Sequence, residues 1–295
     1  MMEEQIDLFS FSNPKFKIDK PIRLIELFAG IGAQAKALEN LGVEFEHWRA
    51  IEIDKYAIAS YNAIHKTNFS TQDITTIHAS DLAITDTDRY CYILTYSFPC
   101  QDISGAGRGA GLDKGSGTRS GLLWEVERIL DECEEKPQVL LMENVPMLFS
   151  KKHIKNFQLW RSKLESIGYV NFAETLNSKE IGYPEPIPQN RNRAFMVSIL
   201  GNYYYEFPKK TKLNKRLKDL LEDKVDEKYY VSDKAIKYIT KPERIEKKYT
   251  QLNGDIGIPL TAKGQNNWTG DFVLDSERER ESGQQSRPQR RQRIV

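Results

Sequence analysis

Hydrophobic and polar positions along this chain fall into blocks that read strand, turn, helix, repeatedly, from residue 22 to about residue 200. Ile22 to Phe28 (Ile-Arg-Leu-Ile-Glu-Leu-Phe) is a short apolar run with a strand's period. It breaks at Ala29-Gly30-Ile31-Gly32-Ala33, and a helical pattern follows to Leu41. Glu46 to Ile53 predicts a second strand, with a helix after Asp54 through Ala63. The β-branched and aromatic run from Tyr90 predicts a third strand, stopped by Pro99. Leu122 to Cys133 reads as an amphipathic helix, Gln138 to Met142 as a strand, Ile154 to Ile167 as a helix and Tyr169 to Leu176 as a strand. Strands alternating with helices imply an α/β fold built on a mostly parallel sheet.

The flanks lack this rhythm. Residues 1–20 contain Pro14 and no sustained period, so an arm is expected before the fold begins. Gly105 to Gly121 holds seven glycines in seventeen residues, too many for a regular element, and predicts a long mobile loop of the functional kind. Past residue 200, Lys212 to Leu221 predicts a helix and Tyr229 to Ile239 another short element. Residues 275–295 are almost without apolar side chains and predict a disordered tail. The expected organisation is therefore an arm (1–20), a main domain (21–200), a smaller partial domain (201–274) and the tail (275–295).

A chain of 295 residues with 39% hydrophobic content can bury the core this requires. No apolar run approaches the roughly 18 residues of a membrane span, and the acidic stretch Met1 to Ser12 lacks the basic start of a signal peptide. A cytoplasmic protein without a membrane partner is expected. The three cysteines, Cys91, Cys100 and Cys133, are an odd number without metal-ligand spacing, so neither a disulfide framework nor a metal is expected. The net charge of +1 hides an asymmetry: residues 1–200 hold 22 Lys and Arg against 27 Asp and Glu, and residues 201–295 hold 21 against 15. The basic later part is weak support for a phosphate-bearing partner.

Parallel α/β sheets carry their chemistry at the carboxyl ends of strands, which directs attention to the residues delivered there. Gly30 and Gly32, at the first turn, suit close backbone approach of a ligand; packing alone would also select glycine. Glu52, about 20 residues on, stands where a carboxylate accepts hydrogen bonds from the ribose of an adenosine-containing ligand. Asp54 competes for that role and is better suited to cap the next helix. Asp73 could read an adenine amino group or simply make a turn. Cys100, one residue beyond Pro99, is where a nucleophile would be wanted, and Glu143-Asn144 brings a carboxyl to a neighbouring strand end. In Gln189-Asn-Arg191-Asn-Arg193 the two arginines alternate onto one face. Arg108, Lys114 and Arg119 make the glycine-rich loop basic, as a lid over a large anionic substrate would be.

In this order these segments closely resemble the DNA (cytosine-5)-methyltransferases: Phe28-Ala-Gly-Ile-Gly-Ala, Glu52, Pro99-Cys100-Gln101, Arg119-Ser-Gly-Leu-Leu-Trp, Glu143-Asn-Val and Gln189-x-Arg-x-Arg. The resemblance covers roughly residues 22–200. It implies a doubly wound, Rossmann-like sheet of the S-adenosylmethionine-dependent methyltransferase type, with S-adenosylmethionine as cofactor, double-stranded DNA as partner and a bacterial or phage origin. It further implies that Cys100, Glu143, Arg191 and Arg193 are catalytic. Phe28, Gly30, Gly32, Glu52, Ile53, Asp73 and Pro99 would line the cofactor pocket, and Gln101, Ser104, Arg108 and Arg119 would belong to a loop closing over the DNA.

The sequence also departs from the family. The helix and Asn-containing motif that normally return the chain to the cofactor pocket are not evident, although Ile258-Pro-Leu-Thr-Ala-Lys-Gly resembles the strand that closes the recognition region. Two readings follow: an active enzyme, complete or completed by a second polypeptide, or a truncated and silent chain. Either way an incompletely covered apolar face is expected near Ile22 to Phe28. An NAD-dependent oxidoreductase would share the glycine turn but gives no account of Pro99-Cys100 or Glu143-Asn144.

Overall fold

The computed structural model describes residues 13–103, 111–222, 225–259, 268–274 and 288–290. Its central sheet is made by β1 (Ile22–Leu27), β2 (Phe45–Ile51), β3 (Cys91–Tyr96), β4 (Val139–Asn144), β5 (Tyr169–Asn177) and β6 (Asn192–Leu200), in the order β2-β1-β3-β4-β6-β5. The first four strands run parallel, and β6 pairs antiparallel with β4. Joining them are α1 (Ala33–Asn40), α2 (Lys55–His65), the single turn α3 (Ala79–Leu82), α4 (Leu123–Glu132) and α5 (Ile154–Ser166). This is the α/β architecture expected.

Period-two alternation explains why both faces are covered. Ile25 and Leu27 of β1 and Tyr92, Leu94 and Tyr96 of β3 join the main core with Trp124, Val126 and Ile129 of α4 and Phe157, Trp160 and Leu164 of α5. Ile22 and Leu24 of β1, with Cys91 and Ile93 of β3, pack on the opposite side against Ala35 of α1. The expectation of an open apolar face at β1 is overturned. Phe16 and Phe45 complete that cluster, and Ile22, Leu24, Ile25 and Leu27 are each at most 9% exposed. Phe16 belongs to the expected arm, which is stitched down: the Tyr204 N–H donates to the Pro14 carbonyl at 3.0 Å, and the Phe16 and Tyr203 rings meet edge-on at 5.0 Å.

Residue contacts divide the chain into two units, one ending at Leu176 and resuming for Arg193–Pro208, the other made of Asn177–Asn192 and the chain from Lys209. The segment 177–192, which the sequence places with the main domain, thus clusters with the second unit. That unit contains α6 (Asp233–Ile239), α7 (Pro242–Glu246) and a small sheet in which β7 (Thr250–Leu252) pairs parallel with β8 (Gly270–Leu274) and β8 antiparallel with β9 (Pro288–Arg290). Its core is Val231, Ala235, Ile239 and Phe272. The buried Arg244 guanidinium ties it together by donating to the Trp268 carbonyl at 2.8 Å and the Tyr238 hydroxyl at 2.9 Å.

Three further expectations change here. The helix predicted over Lys212–Leu221 is only a 3-10 turn at Leu217–Leu220, because Leu217 alone is buried there and a short helix without an apolar stripe to bury is not self-supporting. Residues 288–290 of the expected disordered tail form β9, since edge pairing uses the backbone and needs no apolar side chain. Ile258 and Pro259 are not in a strand, and the rest of that predicted closing strand lies outside the described residues.

Candidate active site

Two groups of residues gather at the carboxyl ends of the parallel strands. The first is built on β1 and β2. Phe28 follows β1 with φ 58°, and Gly30 and Gly32 have φ 57° and 81°, alternate left-handed positions that turn the chain into α1. The two glycines differ in what selects them. A Cβ on Gly32 would lie 2.3 Å from His65 Nε2 and 2.7 Å from the Tyr61 ring, so packing by itself requires this glycine. A Cβ on Gly30 would meet nothing within 4 Å. The open space of the turn is at Gly30.

Glu52 faces that space from just past β2, which ends two residues earlier than the sequence suggests. Its carboxylate is fixed by backbone donors: the Gly30 N–H reaches Oε2 at 2.9 Å and the Asp54 N–H reaches Oε1 at 2.9 Å. Each oxygen keeps a second lone pair, so the group can still accept from two ligand hydroxyls. Asp54 caps α2 by accepting from the Tyr56 and Ala57 N–H groups. Ile53 is 66% exposed beside them. Asp73 makes a turn: its Oδ1 accepts from the Thr75 N–H at 2.9 Å and the Thr75 hydroxyl at 2.8 Å. A half-exposed aromatic ring, a spacious glycine and a carboxylate held with spare acceptor capacity fit the adenosine part of S-adenosylmethionine.

The second group is built on β3, β4 and β6. Pro99 and Cys100 follow β3, and Glu143 and Asn144 end the adjacent β4. Because β6 is antiparallel, its beginning, not its end, lies at this edge, with Ala194 opposite Asn144 and Phe195 opposite Glu143. That reversal brings Arg193 to Glu143, Nε to Oε1 at 2.7 Å, with both side chains more than three-quarters buried. Cys100 is half-buried, whereas Cys91 and Cys133 are buried and burial pushes each of those thiols up to about 11. A thiol with that pKa is inert at neutral pH.

Asn144, to which the sequence assigned no role of its own, turns out to be the brace of this edge. It is buried, its Nδ2–H donates to the Phe98 carbonyl at 3.0 Å, and its Oδ1 accepts from the Val145 N–H at 2.8 Å, so the ends of β3 and β4 are locked side by side. An asparagine at the end of a buried strand was the available signal. Ser120, fully buried, is a second brace: its hydroxyl donates to the Pro99 carbonyl at 2.7 Å, and its N–H donates to Asp102 Oδ2 at 3.1 Å. The loop ends meet again where Arg119 donates to Gln101 Oε1 at 2.7 Å. Ser104 and Arg108 lie outside the described residues. Arg191 belongs to the second unit, where its carbonyl accepts from the Ser178 N–H at 3.2 Å.

Comparison with known proteins agrees with this geometry. The family model of C-5 cytosine-specific DNA methylases matches residues 22–294. A type II methyltransferase of Lactococcus lactis, M2.ScrFI, is 33% identical over 269 residues, spanning 73% of this chain and 71% of the relative. The orphan methyltransferase M.SssI of Spiroplasma monobiae is 36% identical over 264 residues, spanning 71% and 67%. Among solved structures, Dnmt2 of S. pombe aligns with a TM-score of 0.64 at 20% identity over 91% of this chain and 82% of that one. EhMeth of Entamoeba histolytica aligns with a TM-score of 0.67 at 18% identity, over 87% and 76%. A second polypeptide finds no support among these relatives, and no helix among the described residues is long and apolar enough to cross a membrane. With strand ends, glycine turn and motif order all in agreement, the chain belongs to the C-5 cytosine-specific DNA methylases and is a DNA cytosine-5 methyltransferase.

Proposed function

We propose that this chain methylates C5 of a cytosine extruded from double-stranded DNA, with Cys100 as the covalent nucleophile and S-adenosylmethionine as the methyl donor. The observation that carries the proposal is the Arg193–Glu143 pair on β6 and β4, at the edge where Asn144 locks the end of β4 to the turn after β3 that carries the half-buried Cys100. Cytosine C5 is too electron-poor to attack a methyl group unaided. The Cys100 sulfur adds to C6, the C5–C6 π electrons shift towards C5 and into the ring, and negative charge gathers at N3 and O2. Glu143 in its protonated form donates to N3, neutralising the charge that gathers there, and accepts from the exocyclic N4, while Arg193 orients that carboxyl and the motif's other arginine, Arg191, serves O2. Thymine is rejected because it presents a carbonyl where Glu143 would accept a hydrogen bond. The donor supplies an electrophilic methyl group, which C5 takes. Loss of the C5 proton to a base, for which water suffices, then expels the thiolate.

On the donor side, Glu52 accepts from the ribose, Phe28 stacks on the adenine, Gly30 leaves room for the methionine part, and Asp73 takes the adenine N6 with the acceptor capacity its turn leaves. Ile53 and Pro99 line the pocket. A base inside a duplex cannot be reached from a strand end, so the target is flipped at a cost of a few kcal/mol of unstacking, offset by contacts from the loop of Gln101, Ser104, Arg108 and Arg119. Methyl transfer to duplex DNA should vanish in Cys100→Ala and persist in Cys91→Ala and Cys133→Ala. Turnover retained by Cys100→Ala would refute the assignment.

A further inference from the structure

Behind the glycine turn, on the side away from Gly30, lie three side chains that neither the chemistry nor the donor pocket uses: Glu39 in the last turn of α1, His47 on β2 and His65 at the end of α2. One ligand atom from each lies within 4.8 Å of the others. His65 is fully buried, with Nδ1 2.7 Å from Glu39 Oε1, and His47 Nε2 lies 3.9 Å from the same oxygen. The far nitrogen of each ring is already committed. His65 Nε2 faces the Ile31 carbonyl at 3.2 Å, and a carbonyl can only accept, so that nitrogen carries a proton. His47 Nδ1 lies 2.9 Å from the Tyr61 hydroxyl, which spends its own proton on Glu26 Oε2 at 2.7 Å, so Nδ1 is the donor there. His47 Nε2 therefore turns a lone pair towards a carboxylate oxygen with no proton to share between them.

From this arrangement we propose that Glu39, His47 and His65 form a site for a divalent cation of the zinc class. Two imidazoles and a carboxylate are the donor set that Zn²⁺ prefers among oxygen and nitrogen ligands, with water completing the shell. Tetrahedral ligands at about 2.1 Å from one ion lie about 3.4 Å apart, so the 3.9 Å separation has to close by about 0.5 Å and the 2.7 Å contact to open by less than about 1 Å, shifts that side-chain rotation supplies. The outer shell is of the kind that metal-bound histidines keep, each ring donating its far N–H to an oxygen, here the Ile31 carbonyl and the Tyr61 hydroxyl. Lys36 holds the other Glu39 oxygen at 2.8 Å and so directs Oε1 inwards. The three ligands come from α1, β2 and α2, and an ion joining them staples the underside of the turn that carries Gly30. The site stands on its own residues and does not depend on the mechanism above.

The test is titration of the Cys100→Ala chain with Co²⁺, a background that removes the half-buried thiol as a competing ligand. One equivalent should give the intense visible absorption of a four- or five-coordinate ion, Zn²⁺ should displace it stoichiometrically, and Zn²⁺ should raise the melting temperature. Half-exposed Glu39 and His47 can be changed without emptying the core, so Glu39→Gln and His47→Ala, checked by circular dichroism, should each weaken binding by about a hundredfold. A Co²⁺ spectrum unchanged from the aqueous ion, or equal binding in His47→Ala, would overturn the site.

Discussion

The proposed donor side and the proposed base side of this enzyme sit on the same sheet edge but are built differently. On the donor side the key carboxylate, Glu52, is positioned by two backbone N–H groups, from Gly30 and Asp54, and the turn is propped from behind by His65 and Tyr61. On the base side the key carboxylate, Glu143, is held by a side chain, Arg193, and the loop beside Cys100 is clasped by Arg119 on Gln101 and Ser120 on Pro99. Side-chain clasps can be exchanged for contacts with a substrate, whereas backbone ones are fixed by the fold. The contrast suits a small donor held by fixed backbone-positioned groups and a macromolecular substrate held by exchangeable side chains.

Substitutions on the two sides should therefore separate in kinetics. The largest effect is expected for Glu143→Gln, which removes the acid proton that N3 takes while keeping the shape of the side chain. It should lower kcat by about 10²–10³-fold, the scale of losing one preorganised electrostatic group, while calorimetry shows S-adenosylmethionine affinity unchanged. Glu52→Ala should do the reverse, weakening donor binding by about 1–3 kcal/mol with covalent capture of DNA retained. A Glu52→Ala enzyme with normal donor affinity would break the comparison at its base.

Smaller effects sharpen it. Gly32→Ala adds about 1–2 kcal/mol of backbone strain at φ 81° and forces a Cβ into His65, so it should lower the melting temperature more than Gly30→Ala does. Gly30→Ala should raise the KM for the donor more than Gly32→Ala, because its Cβ points into the open turn. The smallest effect is chemical: alkylation of the native protein at about pH 8 should modify Cys100 alone. With folded thiols near 11 against an unfolded value of 9.0, burial of Cys91 and Cys133 costs no stability below the unfolded value. As pH rises from there towards 11, unfolding releases protons the folded chain retains, so stability should fall across that window and labelling of both should begin.

Much of this edge could be read from the sequence, because it depends on local signals. Pro99 after an apolar run marks the end of β3, which stops three residues earlier at Tyr96, so Cys100 could be placed in the turn past a strand end, and an aspartate before a helical pattern identifies Asp54 as a cap rather than a ligand. What could not be read depends on distant neighbours. Gly32 looks like Gly30 until His65 and Tyr61, some 30 residues on, arrive beneath it. Phe16 looks like part of a loose arm until Tyr203 and the flank of β1 receive it. Asn144 gains its role only when β4 aligns with β3 and Phe98 comes within reach. The second unit was least legible, since its small sheet is held by backbone pairing between segments of little periodicity.

The central claim is that the base side is a covalent centre at Cys100, and the most direct test is to catch it in the act. A duplex carrying 5-fluorocytosine has no C5 proton to lose after methyl transfer, so the adduct cannot resolve and the DNA stays bonded to the enzyme. Incubated with S-adenosylmethionine, denatured, digested and read by mass spectrometry, the complex should carry the methylated fluorocytosine on the peptide containing Cys100 and on no other. An adduct on Cys91 or Cys133, or methylated DNA formed by Cys100→Ala, would contradict the account.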